Sequence, residues 1–174
     1  MKKIFCNISF MIVILVLSTC LVGCGNTSTS VTKSSNSNIK KEEKKYMTGK
    51  HNIKIEVEDY GDIEVELDAD TAPITVTNFI KLVNEGFYDG LTFHRIIDGF
   101  MIQGGDPDHN GSGGTSKKIK GEFRNNGVEN NILHERGVIS MARATDPDSA
   151  SSQFFIVQKD YPSLDGNYAA FGHV

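Results

Sequence analysis

The chain has no tryptophan, only four prolines and three cysteines, and all three cysteines lie within the first 24 of its 174 residues. From residue 25 onward this absence excludes a disulfide framework and a cysteine-based metal site. No Gly-x-Ser-x-Gly sequence is present, so nothing indicates a hydrolase triad. The chain has five histidines, His51, His94, His109, His134 and His173. Because they lack the spacing of metal ligands, we expect no metal, and we expect no cofactor.

Two loops resemble ligand-binding loops only in part. Asp106, Asp108 and Asn110 occupy the first, third and fifth positions of a calcium loop, but its twelfth position is Lys117 instead of Glu. The stretch Gly111–Gly114 lacks the Lys-Ser/Thr pair of a phosphate loop. We therefore interpret both stretches as turns or places of close backbone approach.

Charge is distributed unevenly along the chain. Residues 1–23 carry +2 and residues 24–50 carry +4, whereas residues 51–174 hold ten Lys and Arg against twenty Asp and Glu, a net charge of −10. Because phosphate binding needs a cationic face, this acidic part does not favour a nucleic-acid partner. With 39% hydrophobic residues overall, the chain can bury the core of one domain.

Residues 1–23 have the pattern of a lipoprotein signal peptide. Two lysines precede the apolar run Ile8–Leu17, which is shorter than the roughly 18 residues of a membrane span. The sequence Leu21-Val22-Gly23-Cys24 resembles the bacterial lipobox, in which the cysteine is lipidated and becomes the mature N-terminus. We expect lipid anchoring through Cys24 on the extracytoplasmic face of the cell membrane; an uncleaved anchor with an incidental cysteine is the alternative.

Residues 24–50 are predicted to form a flexible tether after the lipidated cysteine. Asn26–Asn38 are almost all Ser, Thr and Asn, and Ile39–Lys50 are rich in lysine. Such a segment cannot bury enough apolar surface to offset the entropy of ordering. Its lysines are either solvated or in contact with anionic lipid or wall polymer.

Residues 51–174 are predicted to be one mainly β domain with an early helix. Alternating apolar residues over Ile53–Val57 and Ile63–Leu67 predict a hairpin. A helix follows, with Thr71 as its N-cap, Pro73 in its first turn and Gly86 at its C-terminal cap. Short apolar runs separated by turn residues then predict a β sandwich or barrel: Leu91–Ile97, Gly99–Ile102, Gly137–Ala142, Gln153–Val157 and Ala169–Val174.

Four groups of residues in this domain form a specific pattern: Phe93–Asp106, Gly137–Ala142, Ser152–Ile156, and Leu164–Gly166 with Phe171-Gly172. In this order and spacing they closely resemble the cyclophilins, a family of peptidyl-prolyl cis-trans isomerases. The resemblance covers about residues 53–174, and the first segment is the most specific. It implies a cyclophilin-like closed antiparallel eight-stranded β-barrel capped by helices, with the active site on its outer face, and we expect a monomer.

The resemblance also assigns the site. Taken singly, Arg95 would be a surface charge and the apolar residues would be core, so the assignment depends on their joint occurrence. Phe100, Met101, Phe155 and Leu164 match the walls of the proline pocket, and Ala142 with Arg143 matches the edge that receives the substrate backbone. The implied catalytic residues are Arg95, Phe100, Gln103 and Phe155, and the implied substrate-binding residues are Met101, Ala142, Arg143, Gln153, Leu164 and Tyr168.

Three positions depart from the common family pattern. Tyr168 stands where many relatives have His, and Arg143 replaces a common Asn; we expect the pocket to tolerate both changes. Ser163 stands where the best-known relatives place Trp, which predicts weak cyclosporin binding. Relatives also continue beyond Phe171-Gly-His-Val174 with a second helix and a closing strand, so the domain at 51–174 is expected to be C-terminally incomplete. The chain is then either a fragment of a longer one or an open barrel of marginal stability. We therefore expect the strand around Ile53–Val57 to have an unpaired edge.

The resemblance implies isomerisation of X-Pro bonds, with proline-containing segments of unfolded or exported proteins as partners. The intact set of Arg95, Phe100, Gln103 and Phe155 favours an enzyme. The alternative is a non-catalytic module that holds proline-containing segments, as a chaperone or a surface-binding protein.

Overall fold

The computed structural model describes residues 4–7 and 45–174. The predicted signal peptide, lipidated Cys24 and tether lie outside the described residues, apart from Ile4–Asn7 and residues 45–50. Within the described ranges, no helix has both the length and the apolar character needed to cross a membrane.

The described residues form one antiparallel sheet with a single α-helix, which confirms the predicted mainly β fold class. The sheet order is β1-β2-β3-β8-β6-β7-β5-β4. The helix α1 spans Pro73–Asn84, and two short 3-10 turns span Arg124–Asn126 and Pro162–Leu164. The strands are β1 (Ile4–Asn7), β2 (Lys50–Val57), β3 (Gly61–Asp68), β4 (Arg95–Ile97), β5 (Met101–Gly104), β6 (Val138–Met141), β7 (Phe154–Val157) and β8 (Ala170–His173).

The sheet is a curled half-barrel, as expected for a cyclophilin-like barrel without the last helix and the closing strand that relatives have. Among the described strands, its hydrogen-bonded order begins at β1 and ends at β4. In the uncleaved chain, Ile4–Asn7 pair antiparallel with Lys54–Val57, so the expected unpaired edge along Ile53–Val57 concerns the chain without its predicted signal peptide. The exposed N–H and C=O groups of an edge strand accept any extended segment that reaches them.

The early hairpin and the helix C-terminus follow the sequence pattern. In the hairpin, Ile53 pairs with Val65 and Ile55 with Ile63. Gly86 has a φ of 68°, and its N–H donates to the Val83 carbonyl at 3.0 Å. This left-handed cap is favourable for glycine because it has no Cβ.

The helix N-terminus differs from the prediction. The N-cap residue is Ala72, which makes no side-chain cap, and the Thr71 hydroxyl donates to Asp68 at 2.8 Å instead. The buried carboxylate of Glu122 accepts from the N–H groups of Ile74 at 3.0 Å and Thr75 at 2.7 Å. A distant acid therefore satisfies the amides that a local cap would otherwise satisfy.

The buried apolar residues form two clusters, and successive side chains of β7 belong alternately to one cluster and to the other. Phe154 and Ile156 belong to the main core with α1, while Phe155 and Val157 belong to a smaller cluster. Phe100, Ala142 and Tyr168 pack against that smaller cluster and are partly buried. This smaller cluster also lines a cavity at the surface of the protein.

Candidate active site

Strand pairing places three of the predicted site residues side by side. Arg95 of β4 lies opposite Gln103 of β5, and Gln103 lies opposite Phe155 of β7. The side chains at these paired positions share one face of the sheet. A guanidinium, an amide and an aromatic ring therefore come together from three strands.

A directional row of hydrogen bonds connects the polar side chains. Nη1 of Arg95 donates to Oε1 of Gln103 at 3.2 Å, and Nε2 of Gln103 donates to Oε1 of Gln153 at 2.8 Å. Nε2 of Gln153 donates to the carbonyls of Gly111 at 3.1 Å and Gly113 at 2.7 Å. Because backbone carbonyls only accept, they determine the orientation of Gln153, and Gln153 in turn points Oε1 of Gln103 towards Arg95.

The loop that supplies these carbonyls is organised by Asp106. This side chain is fully buried, and its carboxylate accepts from the N–H groups of Asp108 at 2.9 Å and Asn110 at 3.1 Å, and also from Gly111. Burial would raise the pKa of Asp106, but the backbone N–H groups hold it below its ordinary value. The calcium-like motif is thus a loop folded around its own carboxylate, as the interpretation of this stretch as a turn predicted.

An apolar floor lies beside Arg95. Met101, Phe155 and Leu164 are all less than a tenth exposed. The ring of Tyr168 meets that of Phe155 edge-on, with centroids 5.8 Å apart. The Arg95 guanidinium lies 6.0 Å from the centroid of the Phe100 ring. A cation thus stands at the border of an apolar depression.

The structure brings all ten predicted site residues together. A cavity of about 510 Å³ is lined by nine of them, and Gln153 lines a second cavity of about 200 Å³. The two cavities share Gln103, Gly111, Ala142 and Arg143 and so form one groove. The nine are Arg95, Phe100, Met101, Gln103, Ala142, Arg143, Phe155, Leu164 and Tyr168.

The groove also contains residues that sequence reasoning did not assign to the site. His94, Asn110 and Gly111 line the larger cavity, and Lys118 lines the smaller one. Both ring nitrogens of His94 are buried without a hydrogen-bond partner among the described residues. Burial lowers the pKa of His94; the negative charge of Asp106 partly opposes this effect, and the positive charge of Arg95 adds to it. The position of His94 beside Arg95 in the most specific segment was the available signal.

The guanidinium of Arg143 at the groove is held in place, and no acidic residue is found among the described residues that line the groove. The Arg143 guanidinium lies 4.8 Å from the Tyr168 ring centroid, and its Nε donates to the Asn167 carbonyl at 3.0 Å. The N–H of Ala142 donates to the carbonyl of Gln153, the residue before β7, at 3.0 Å. No Asp or Glu is among the described residues that line either cavity.

A buried histidine supports the floor from below. The ring of His134 stacks on Phe155 with centroids 6.1 Å apart, and its Nδ1 lies 3.0 Å from Asp165. Burial lowers the pKa of His134, and Asp165 only partly opposes this effect. The neutral ring therefore donates from Nδ1 to Asp165, and the Ser140 hydroxyl donates to Nε2 at 3.0 Å.

These features define a class of protein: a curled antiparallel sheet whose outer face carries a groove, with a guanidinium held beside an apolar depression. The family model described as "Cyclophilin type peptidyl-prolyl cis-trans isomerase/CLD" matches residues 52–174. The chain therefore belongs to the cyclophilin-type peptidyl-prolyl cis-trans isomerases, enzymes that rotate the peptide bond before proline.

Individual relatives agree with this assignment. Peptidyl-prolyl cis-trans isomerase B of Bacillus subtilis is 51% identical over 118 residues, which cover 68% of this chain and 79% of the relative. The peptidyl-prolyl cis-trans isomerase of Helicobacter pylori strain J99 is 46% identical, covering 66% and 67%. A Cryptosporidium parvum cyclophilin, crystallised in the presence of the dipeptide Ala-Pro, superposes with a TM-score of 0.60 at 38% identity, covering 66% of this chain and 73% of that structure.

Proposed function

We propose that this chain accelerates rotation about X-Pro bonds in exported or surface proteins while anchored by a lipid at Cys24. In this proposal the larger cavity holds the proline ring and Arg95 donates a hydrogen bond to the prolyl nitrogen. The observation that carries the proposal is the placement of Arg95, held by Gln103 at 3.2 Å, on the border of the cavity that Phe155 lines.

The barrier to this rotation comes from amide resonance and amounts to about 18–20 kcal/mol. When the bond twists, conjugation is lost and the prolyl nitrogen acquires a free lone pair. A guanidinium already aimed at that nitrogen stabilises the twisted state more than either planar state, and only such a difference accelerates the reaction. An acceleration of about 10⁵ requires about 7 kcal/mol, which one charged hydrogen bond together with positioning can supply.

The apolar floor contributes in two ways. Met101, Phe155 and Leu164 are held by the smaller core cluster, so they can grip the proline ring without moving. The carbonyl before proline then remains free to turn. The twisted amide has less charge separation than the planar amide, so an apolar environment favours it further.

Proline-containing peptide segments are the proposed partners. The Cryptosporidium relative was crystallised with Ala-Pro, and the groove of this chain offers a comparable combination of apolar floor and polar rim. A non-catalytic module would need the same floor but would not need Arg95 to be aligned by the Gln103–Gln153 row. That row favours the enzyme over the binding module.

The proposed location follows from the sequence, since Cys24 ends a lipobox-like tetrapeptide and residues 24–50 are long enough for a tether. As a flexible coil, 26 residues span about 28 Å. The test is to label growing cells with radioactive fatty acid and compare the chain with its Cys24→Ala variant. We expect label only in the chain that retains Cys24; an unlabelled parent chain would contradict the anchor.

The catalytic proposal is tested by timing the cis-trans exchange of a short X-Pro peptide with the full-length chain carrying Cys24→Ala. Arg95→Ala should lose most of the rate enhancement and remain folded by circular dichroism. Arg124→Ala, an exposed arginine bonded to Asn131, should keep it. If the folded parent binds the peptide and exchanges it no faster than buffer, the chain is a binding module.

A further inference from the structure

A further cavity with a distinct chemistry lies beside the groove and shares Lys118 with it. It has a volume of about 410 Å³, and no Asp or Glu is among the described residues that line it. This is unexpected in a part of the chain where acidic residues outnumber basic ones by twenty to ten. We call it the lysine cavity; its basic residues are Lys45, Lys81, Lys117, Lys118 and Lys120.

Most of this positive charge is not neutralised locally. Within residues 45–174, the one ion pair found for these lysines joins Lys81 to Glu85 at 3.6 Å, and both side chains are more than half exposed. Lys118 lies 3.5 Å from the Ser151 hydroxyl. Asp148 interacts electrostatically with Lys120, but its carboxylate mainly accepts from Gly121 and Asn126, which lower the pKa of Asp148. The cavity therefore offers several ammonium groups to an external anion.

The backbone that carries these lysines is held in place. The N–H of Ile119, between Lys118 and Lys120, donates to the Ala150 carbonyl at 2.9 Å, and the side chain of Ile119 is buried. The N–H of Met47 donates to the Thr77 hydroxyl at 2.8 Å, which ties the segment after Lys45 to α1. The positive face is thus a fixed feature of the fold.

The lysine cavity is also continuous with the basic tether. Residues 24–50 carry six lysines and two acids, and the described domain begins at Lys45, which lines the cavity. Twenty residues lie between Cys24 and Lys45, a span of about 25 Å for a flexible coil. This proximity rests on the proposed lipid anchor at Cys24: a domain tethered this closely to a membrane meets its surface often, and a basic face is attracted to anionic headgroups.

We propose that the lysine cavity docks the domain onto anionic phospholipid headgroups. Each lysine near such a surface contributes about 1 kcal/mol, or about a fivefold increase in affinity. Because Lys118 lines both this cavity and the smaller part of the groove, docking places the groove next to the membrane surface. The proposal concerns surface binding and does not require the groove to be catalytic.

The test is sedimentation of the full-length Cys24→Ala chain with vesicles of phosphatidylcholine, with and without phosphatidylglycerol. We expect phosphatidylglycerol to increase binding and added salt to reverse the increase. Lys117→Gln with Lys120→Gln should reduce the phosphatidylglycerol-dependent affinity about tenfold or more. Any binding through the apolar run near the N-terminus also occurs on phosphatidylcholine alone and is subtracted.

A matched double variant, Lys54→Gln with Lys159→Gln, removes the same charge elsewhere and should change the affinity less than about twofold. Equal losses in the two double variants would overturn the proposal, because net charge alone would then explain binding. The proposal would also be overturned if phosphatidylglycerol had no effect on binding. The same holds if the chain bound inorganic phosphate saturably but did not bind vesicles. Both double variants should isomerise an X-Pro peptide like the parent, so a failed docking test leaves the proposed function intact.

Discussion

The side-chain amides of Gln103 and Gln153 are joined by one directional hydrogen bond, with Nε2 of Gln103 lying 2.8 Å from Oε1 of Gln153. The direction is determined by two backbone carbonyls that occupy the nitrogen of Gln153. As a result, the Gln103 oxygen faces Arg95. Gln153 is therefore a positioning residue that acts on the guanidinium through Gln103.

This relationship predicts the effect of Gln153→Glu. The new carboxylate can still accept from Gln103, but it cannot donate to the carbonyls of Gly111 and Gly113 and would face them as a buried anion. We expect kcat/KM for an X-Pro peptide to fall about tenfold, the equivalent of one lost hydrogen bond. Gln158→Glu, at an exposed position, is the matched control. A folded Gln153→Glu chain with parental kcat/KM would show that the row does not position Arg95.

Arg95→Lys tests whether the planar guanidinium matters beyond its charge. Lysine retains the positive charge but has a single nitrogen, which cannot bond Gln103 and the prolyl nitrogen in a fixed fork. We expect kcat to fall about tenfold to a hundredfold, with a smaller change in KM, because the lost contact belongs to the twisted state. Progress curves at several peptide concentrations measure both constants, and Arg124→Lys is the control. Parental kcat in the lysine variant would favour a purely electrostatic role.

Local signals predicted much of the fold because the relevant interactions are local. Alternation over Ile53–Val57 and Ile63–Leu67 produced the hairpin that was expected, and Gly86 ends the helix because its positive φ is favourable for glycine. The helix start was misassigned to Thr71 because the actual cap, Glu122, lies 47 residues from Thr75 along the chain. Spacing rules cannot detect a partner that only the tertiary fold brings near.

The site was predicted through a family motif, and the structure supplies what the motif leaves out. The motif identified Arg95 and Gln103, but not the loop carbonyls that orient Gln153. His94 was considered only as a potential metal ligand, although it precedes Arg95 in the most specific segment and lines the larger cavity. Lys118 carried no local signal, since its position between two cavities depends on how residues 115–120 cross the surface.

The cap of α1 leads to a prediction about stability. The Glu122 carboxylate accepts from two backbone N–H groups and from the Thr75 hydroxyl at 2.6 Å, and Glu122 is only 2% exposed. In Glu122→Gln, one carboxylate oxygen becomes an NH₂ group that faces donors. We expect the free energy of unfolding to fall by about 1–3 kcal/mol, measured by urea denaturation. Glu129→Gln, at an exposed position, should change it by less than about 0.5 kcal/mol.

That experiment also distinguishes a cap from a simple packing role. If the loss reflects hydrogen bonds to α1, Glu122→Asp should also destabilise the chain, since the shorter side chain cannot reach both Ile74 and Thr75. A Glu122→Gln chain as stable as the parent would contradict the cap.

Stability should also depend on pH through His134. Its folded-state pKa lies below the ordinary value of 6.5 because of burial, so between these two values the unfolded chain binds more protons than the folded one. The free energy of unfolding therefore falls as the pH drops below 6.5, by up to about 1.4 kcal/mol per pH unit for one proton. The stabilisation is complete above pH 6.5 and is lost as the pH falls through the folded-state pKa.

Urea denaturation of the full-length chain from pH 7.5 down to 5 measures this slope. Burial lowers the pKa of His94 as well. The single variant His134→Gln should therefore remove part of the pH dependence, and the double variant His134→Gln with His94→Gln should remove most of it. Ser163→Ala, at an exposed position without a titrating group, is the control and should leave the slope unchanged. Asp68, Asp106 and Asp148 also have lowered pKa values, but their ordinary value of 3.8 places their effect below this window. A double variant that keeps the parental slope would mean that neither ring resists protonation in the folded chain.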